Sequence, residues 1–180
     1  ADFRDMIGQT IFAVSDDETR YFLNGIYVER TEDGLRMVAT DGKRLSLATA
    51  RAPVSAGSLK GVIVPPKIFG LLRKLASGEG TLRIAIADKS IFFALSGYRL
   101  SSNLIDAQFP QYDRVIPKKQ SRRIVVDRDP LNDALRRVSL LVEQKSRKVL
   151  VGVADDAITV HTAEGEMGKD SEEIPCQYQG

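Results

Sequence analysis

Apolar residues recur along this chain at two spacings. Phe3, Met6, Ile7, Thr10 and Val14 return every three to four positions, as on a helix with one buried stripe, and Asp2 stands where an N-cap belongs. Asp16-Asp17-Glu18 interrupts that pattern. Arg20 to Glu29 then alternates loosely as a strand, Thr31 to Gly34 reads as a turn, and Leu35 to Thr40 reads as a second strand. Asp41-Gly42 predicts a tight hairpin into Arg44 to Ala50. Ala52 to Gly61, rich in Pro, Ser and Gly, reads as a loop.

The β-branched run Gly61 to Pro65 predicts a strand, and Pro65-Pro66 opens a helix, since proline is tolerated in a first turn. The expected buried stripe of that helix is Ile68, Leu71, Leu72 and Leu75, with the end near Gly78. Three short strands follow, Thr81–Ile86, Ser90–Leu95 and Tyr98–Leu104. Helix-then-three-strands therefore occurs twice before residue 105. Ile105 to Arg123 is an extended polar connector, marking a domain boundary. Ile124–Val126 restarts a strand, and Asp127 or Asp129 caps a helix with Pro130 in its first turn.

A longer repeat underlies this. Phe3 to Gly42 and Leu131 to Gly165 share a helical stretch, a strand with a glycine, and a second strand closing on a turn glycine: Arg20-Tyr-Phe-Leu-Asn-Gly and Asp33-Gly-Leu-Arg-Met-Val-Ala-Thr-Asp-Gly against Arg147-Lys-Val-Leu-Val-Gly and Asp156-Ala-Ile-Thr-Val-His-Thr-Ala-Glu-Gly. The period is too long for a solenoid unit. It reads as tandem copies of one α+β domain, the second cut off at Gly180. Repeated rigid modules suit a scaffold or ring better than a pocket enzyme.

Composition narrows the reading further. The 180 residues are 43% hydrophobic, enough for a core, with no apolar run long enough to span a bilayer. The chain begins at Ala1 rather than Met, which suggests a piece of something longer. The lone Cys176 rules out an internal disulfide and suits a reducing cytosol. A net charge of +2 does not by itself announce nucleic acid, so any binding must come from charge placement. His161 has no cysteine near it, so neither metal nor cofactor is expected. Gly78-Glu79-Gly80 precedes a strand rather than a helix and makes no phosphate loop. No carboxylates cluster as a nuclease or nucleotidyl enzyme would need for Mg²⁺.

Four motifs, Arg20-Tyr-Phe-Leu-Asn-Gly25, Val38-Ala-Thr-Asp-Gly-Lys-Arg-Leu45, Val62-Ile-Val-Pro65 and Phe109-Pro-Gln-Tyr-Asp-Arg-Val-Ile-Pro117, resemble in order and spacing those of bacterial sliding clamps, the β subunits of the replicative DNA polymerase III holoenzyme. The resemblance covers the whole chain. It implies the DNA-clamp fold, with helices on an inner face and sheets on an outer one. It assigns residues 1–117 to the middle domain without its opening strand, 118–123 to a linker and 124–180 to the first half of the third domain. It implies a non-catalytic cytoplasmic processivity factor: a ring-forming homodimer when full length, which slides on duplex DNA without sequence preference, is served by a clamp loader, and tethers the polymerase and other proteins by short peptide motifs. The fragment itself is expected to be monomeric.

The resemblance also assigns sites. Leu23, Thr40, Gly42, Lys43, Arg44, Leu45, Pro110, Arg114 and Val115 match the peptide groove; on pattern alone they are an ordinary hairpin and connector. Lys67, Arg73 and Lys74 lie on the helix after Pro66, and Arg136 and Arg137 on the helix after Pro130. With Arg20 and Tyr21 they match a DNA face, the plainer alternative being a solvated helix surface. Leu140 and Leu141 match the dimer interface, and Phe12 is expected to face the absent first domain. A peptide-binding adaptor that never meets DNA would keep the groove without needing Lys67, Lys74 and Arg137. The run Lys118 to Arg123 is read as a linker.

Overall fold

The computed structural model describes residues 3–32, 34–51, 61–76, 80–95, 97–142, 148–162 and 170–179. They fall into two compact units, Ala1–Gln111 and Tyr112–Gly180. The capping aspartate Asp2, the 52–60 loop, the helix end at Gly78 and the turn glycine Gly165 lie outside the described residues.

In the first unit, helix α1 (Phe3–Thr10) buries Met6, Ile7 and Thr10. Thr10 can be buried because its hydroxyl donates to the carbonyl of Met6 at 2.8 Å, so its polar atom is satisfied within the helix. A 3-10 turn, Ile11–Ala13, follows. The expected strand from Arg20 begins later than its alternation suggested. Glu18–Leu23 is a kinked 3-10 segment, and the strand β1 is Ile26–Thr31. The cause is Asp17, whose carboxylate accepts from the Thr19 amide at 3.0 Å and the Arg20 Nε at 2.9 Å, winding the chain where period-two spacing alone would extend it.

Strands β2 (Gly34–Thr40) and β3 (Leu45–Ala50) complete a meander, and β4 (Val62–Val64) pairs antiparallel with β1, giving the order β3-β2-β1-β4. Thr40 pairs with Leu45, so the connection holds four residues, Asp41 to Arg44, rather than the two-residue turn the Asp-Gly pair suggests. Helix α2 (Pro66–Leu75) buries Ile68, Phe69 and Leu72. Leu71, expected inside, is 42% exposed, and Phe69 is fully buried in its place. At about 100° per residue, Leu71 lies some 100° from the centre of the arc that Ile68, Phe69 and Leu72 share. Strands β5 (Arg83–Ala87), β6 (Ser90–Leu95) and β7 (Tyr98–Asn103) form a separate three-stranded sheet. Phe3, Phe69 and Phe93, from α1, α2 and β6, meet with ring centroids 6.2–6.4 Å apart, joining both helices and both sheets in one core.

The second unit restarts the pattern with β8 (Arg123–Val126) and α3 (Arg128–Ser139). Asp127 occupies the N-cap position but makes no side-chain cap bond, and Pro130 sits in the first turn. Strands β9 (Val149–Val153), β10 (Ala157–Thr162) and β11 (Ser171–Gln179) follow. The first half of β11 pairs with β10 and the second half with β8. The change comes just after Pro175, a residue with no amide to donate. Ala134, Val138, Ile158, Val160 and Ile174 make the core, with Leu131 packed against it. Leu135, on the same helix, is 36% exposed. Cys176 is half-buried on β11.

Candidate peptide and nucleic-acid surfaces

The peptide-groove candidates of the first unit gather at one end of its meander. Thr40 closes β2; its hydroxyl donates to the Arg44 carbonyl at 2.7 Å and accepts from the Gly42 amide at 3.0 Å. The Asp41 carboxylate accepts from the Lys43 and Arg44 amides at 2.9 and 3.0 Å. Those amide bonds, the Lys43 one first, hold its carboxyl below the usual range. An aspartate at the head of a turn satisfies such amides at small conformational cost, so this loop is braced from within. Gly42 has φ +84°, the left-handed region that favours glycine. Leu45 opens β3.

Arg44 is committed before any ligand arrives. Its guanidinium pairs with Asp41 at 3.1 Å, donates to the Phe12 carbonyl at 2.9 Å, and lies 5.5 Å from the centre of the Phe12 ring. Ser46 also donates to the Gln9 carbonyl. The loop is thereby tied to the C-terminal end of α1. The helical pattern placed Phe12 off the buried stripe, and its ring is 56% exposed; the Arg44 contact joins residues 32 apart in sequence and leaves no local signal.

Leu23 is buried at the end of the 3-10 segment, and its carbonyl accepts from the Ser15 amide at 3.1 Å. The same segment carries Arg20 and Tyr21. The Arg20 guanidinium pairs with Asp17 at 2.9 Å. One of its nitrogens lies 2.8 Å from where a Cβ on Gly42 would be, so a residue assigned to DNA touches the loop assigned to peptide. Tyr21 is 55% exposed. Pro110 is exposed in the first unit and follows Phe109, which is buried and stacks on Tyr27 at 4.8 Å and 9°. Arg114 and Val115 belong to the second unit and are exposed.

The helical cations differ in their commitments. Lys67, Arg73 and Lys74 are exposed on α2, and the Arg73 guanidinium lies over Gly8 of α1. Arg136 is exposed on α3. Arg137 makes a bidentate pair with Glu172 at 2.6 Å for each bond, which raises the Arg137 pKa and lowers that of Glu172. Among the described residues, Lys67, Lys74 and Arg136 form no ion pair. Leu140 caps the end of α3 and is 77% exposed, while Leu141 is half-buried.

Among the described residues, no group of His, Cys, Asp and Glu could hold a metal ion, and no helix is long and apolar enough to cross a membrane. The half-buried His161 sits on β10.

A helix packed on antiparallel strands, repeated in tandem, is the architecture of the DNA clamps. The sliding clamp of Pseudomonas aeruginosa aligns with a TM-score of 0.91 at 30% identity over 98% of this chain and 49% of its own. The DNA polymerase III β subunit of Borrelia burgdorferi, solved with a natural product, aligns with a TM-score of 0.90 at 31% identity over 99% and 48%.

Residues 1–111 match the family described as DNA polymerase III beta subunit, central domain, and residues 113–180 match its C-terminal domain. The beta sliding clamp of Treponema pallidum is 44% identical, covering 100% of this chain and 50% of the relative; that of Caulobacter vibrioides is 38% identical over 97% and 48%. The chain belongs to the DNA polymerase III β subunit family, the bacterial sliding clamps. It spans about half the length of these relatives.

Proposed function

We propose that this chain is part of a non-catalytic processivity factor of bacterial DNA replication, acting in the cytoplasm: residues 1–117 as its middle domain, 118–123 as a linker and 124–180 as the first half of its third domain. The observation that carries this reading is the repeated helix-on-sheet module, matched to consecutive domains of one family along the whole chain. In the complete ring, a homodimer opened by a clamp loader, Lys67, Arg73, Lys74, Arg136 and Arg137 face duplex DNA, with Arg20 and Tyr21 nearby. Attraction between such cations and phosphates is independent of sequence and weakens with salt, which permits sliding. The ion pairs at Arg20 and Arg137 temper that attraction, leaving Lys67, Arg73, Lys74 and Arg136 as its main source.

In this reading the braced 41–44 loop, with Leu23, Thr40 and Leu45, offers a rigid edge to the short motifs of the polymerase and other clamp-binding proteins, and Pro110, Arg114 and Val115 are further peptide-contacting residues. Leu140 and Leu141 serve the dimer interface of the complete ring.

The test is charge reversal, Lys67→Glu, Lys74→Glu and Arg136→Glu together, in the full-length gene product. Processive primer extension should collapse while binding of a labelled clamp-motif peptide stays unchanged. Unimpaired processivity would leave a peptide-docking adaptor without DNA contact as the better account.

A further inference from the structure

The three-stranded sheet β5-β6-β7 presents a face that none of the assigned sites uses. Alternation turns Ile91, Phe93 and Leu95 into the core, leaving Ser90, Phe92 and Ala94 on the opposite face. Register then builds two cross-strand rows there. One row is Arg83–Ala94–Arg99 and the next is Ala85–Phe92–Ser101. Small residues beside the one large ring leave a depression of about 260 Å³ between the arginines and Phe92. Phe92 is 44% exposed.

A single exposed aromatic is ordinary. The charge around this one is not balanced. None of the protein's 24 acidic residues lies on these three strands. Among the described residues neither Arg83 nor Arg99 forms an ion pair. With strands about 4.8 Å apart, the two arginines stand roughly 10 Å from each other across the methyl of Ala94, so one carboxylate can meet both guanidiniums. The Phe92 row lies two residues further along, about 6.6–7 Å. That is also the distance between side chains i and i+2 of an extended peptide.

We propose that this face is a docking surface for an extended acidic peptide segment, with a carboxylate between Arg83 and Arg99 and an apolar side chain two residues away on Phe92. A single-stranded nucleic acid would instead need cations repeated along a track of stacking rings. Here both free cations share one row. The row beyond Phe92 is Ala87–Ser90–Asn103, and the adjacent Lys89 already pairs with Asp106 at 2.8 Å.

The test is fluorescence anisotropy of the 180-residue protein with a fluorescein-labelled Ser/Gly octapeptide carrying glutamate at position four and leucine at position six. Binding should saturate. It should weaken about tenfold in Arg99→Gln and further in Arg83→Gln/Arg99→Gln, as loss of charge-assisted bonds implies. It should vanish in Phe92→Ser, persist in Phe92→Leu, and be lost when lysine replaces the peptide's glutamate. All variants should keep the parent melting midpoint, because the altered side chains are exposed. No binding at millimolar peptide, or equal affinity in every variant, would overturn the proposal. So would tighter binding of an eight-residue oligothymidylate with the same pattern of losses, which would make the face a nucleic-acid platform.

Discussion

The two units contain the same motif with different amounts of structure packed on it. In the first, α1 and its meander share a core with a second helix and a second sheet. In the second, α3 alone covers β10 and β11, and Val125, Leu150, Val151 and Val153 remain exposed. One glycine in each unit, matched by the sequence repeat but not by strand register, records the difference. A Cβ on Gly25 would stand 2.7 Å from the Ile63 side chain, 2.8 Å from the Val64 carbonyl and 3.0 Å from Ile105, because β4 and the following connector press on the start of β1. A Cβ on Gly152 would meet only Thr159, at 3.8 Å, because β9 lies at the edge of its sheet. Gly25, which precedes β1, is a packing requirement, whereas a side chain at Gly152, inside β9, is merely tolerated.

The contrast can be broken most forcefully in the cores. Phe69→Ala should destabilise the first unit by about 3–5 kcal/mol, read by urea denaturation with amide exchange on β1 and β6. Ile158→Ala in the second unit should cost only about 2 kcal/mol, the low end for such truncations, since its thinner core can relax. Equal losses would mean that the size of the core does not set its energetics. The glycine pair sharpens the point. Gly25→Ala should cost about 1–3 kcal/mol by overpacking, whereas Gly152→Ala should stay within about 0.5 kcal/mol; matching melting shifts would refute the crowding argument.

Gly42→Ala should lose about 1–2 kcal/mol from its left-handed backbone, since the Arg20 guanidinium can move aside; a substitution without effect would show that the loop rearranges freely. The smallest effect belongs to Glu172. Its pKa is lowered in the folded chain, so the folded form binds fewer protons than the unfolded one near the ordinary glutamate value. The Arg137 pair therefore supports stability above that value and is lost as pH falls through the lowered one. Glu172→Gln should flatten the acid limb of a melting-temperature profile below about pH 4.5, and an unchanged limb would show that the exposed pair contributes nothing.

Periodicity alone located the two long helices of the first unit, the hairpin strands and the restart after residue 123, because a buried stripe or an alternating face must appear as spacing. It misplaced Arg20 to Asn24, where Asp17 winds the backbone by local hydrogen bonds that leave no mark on hydrophobic alternation. It put Leu71 inside and left Phe69 out of the stripe, since adjacent apolar residues on a helix do not say which of them the neighbouring sheet will receive. The cations of the candidate DNA face and peptide groove were legible as a pattern, but their availability was not: the commitment of Arg137 to Glu172 and of Arg44 to Phe12 joins residues far apart in sequence.

What the sequence by itself determined is the module and its repetition, because propensity, turn chemistry and burial period are local properties written into each segment. Only the tertiary structure decided which glycine is crowded, which arginines are already occupied, and that Arg83, Phe92 and Arg99 share one exposed face. Those outcomes depend on strand register and on distances across the chain, which no local pattern encodes.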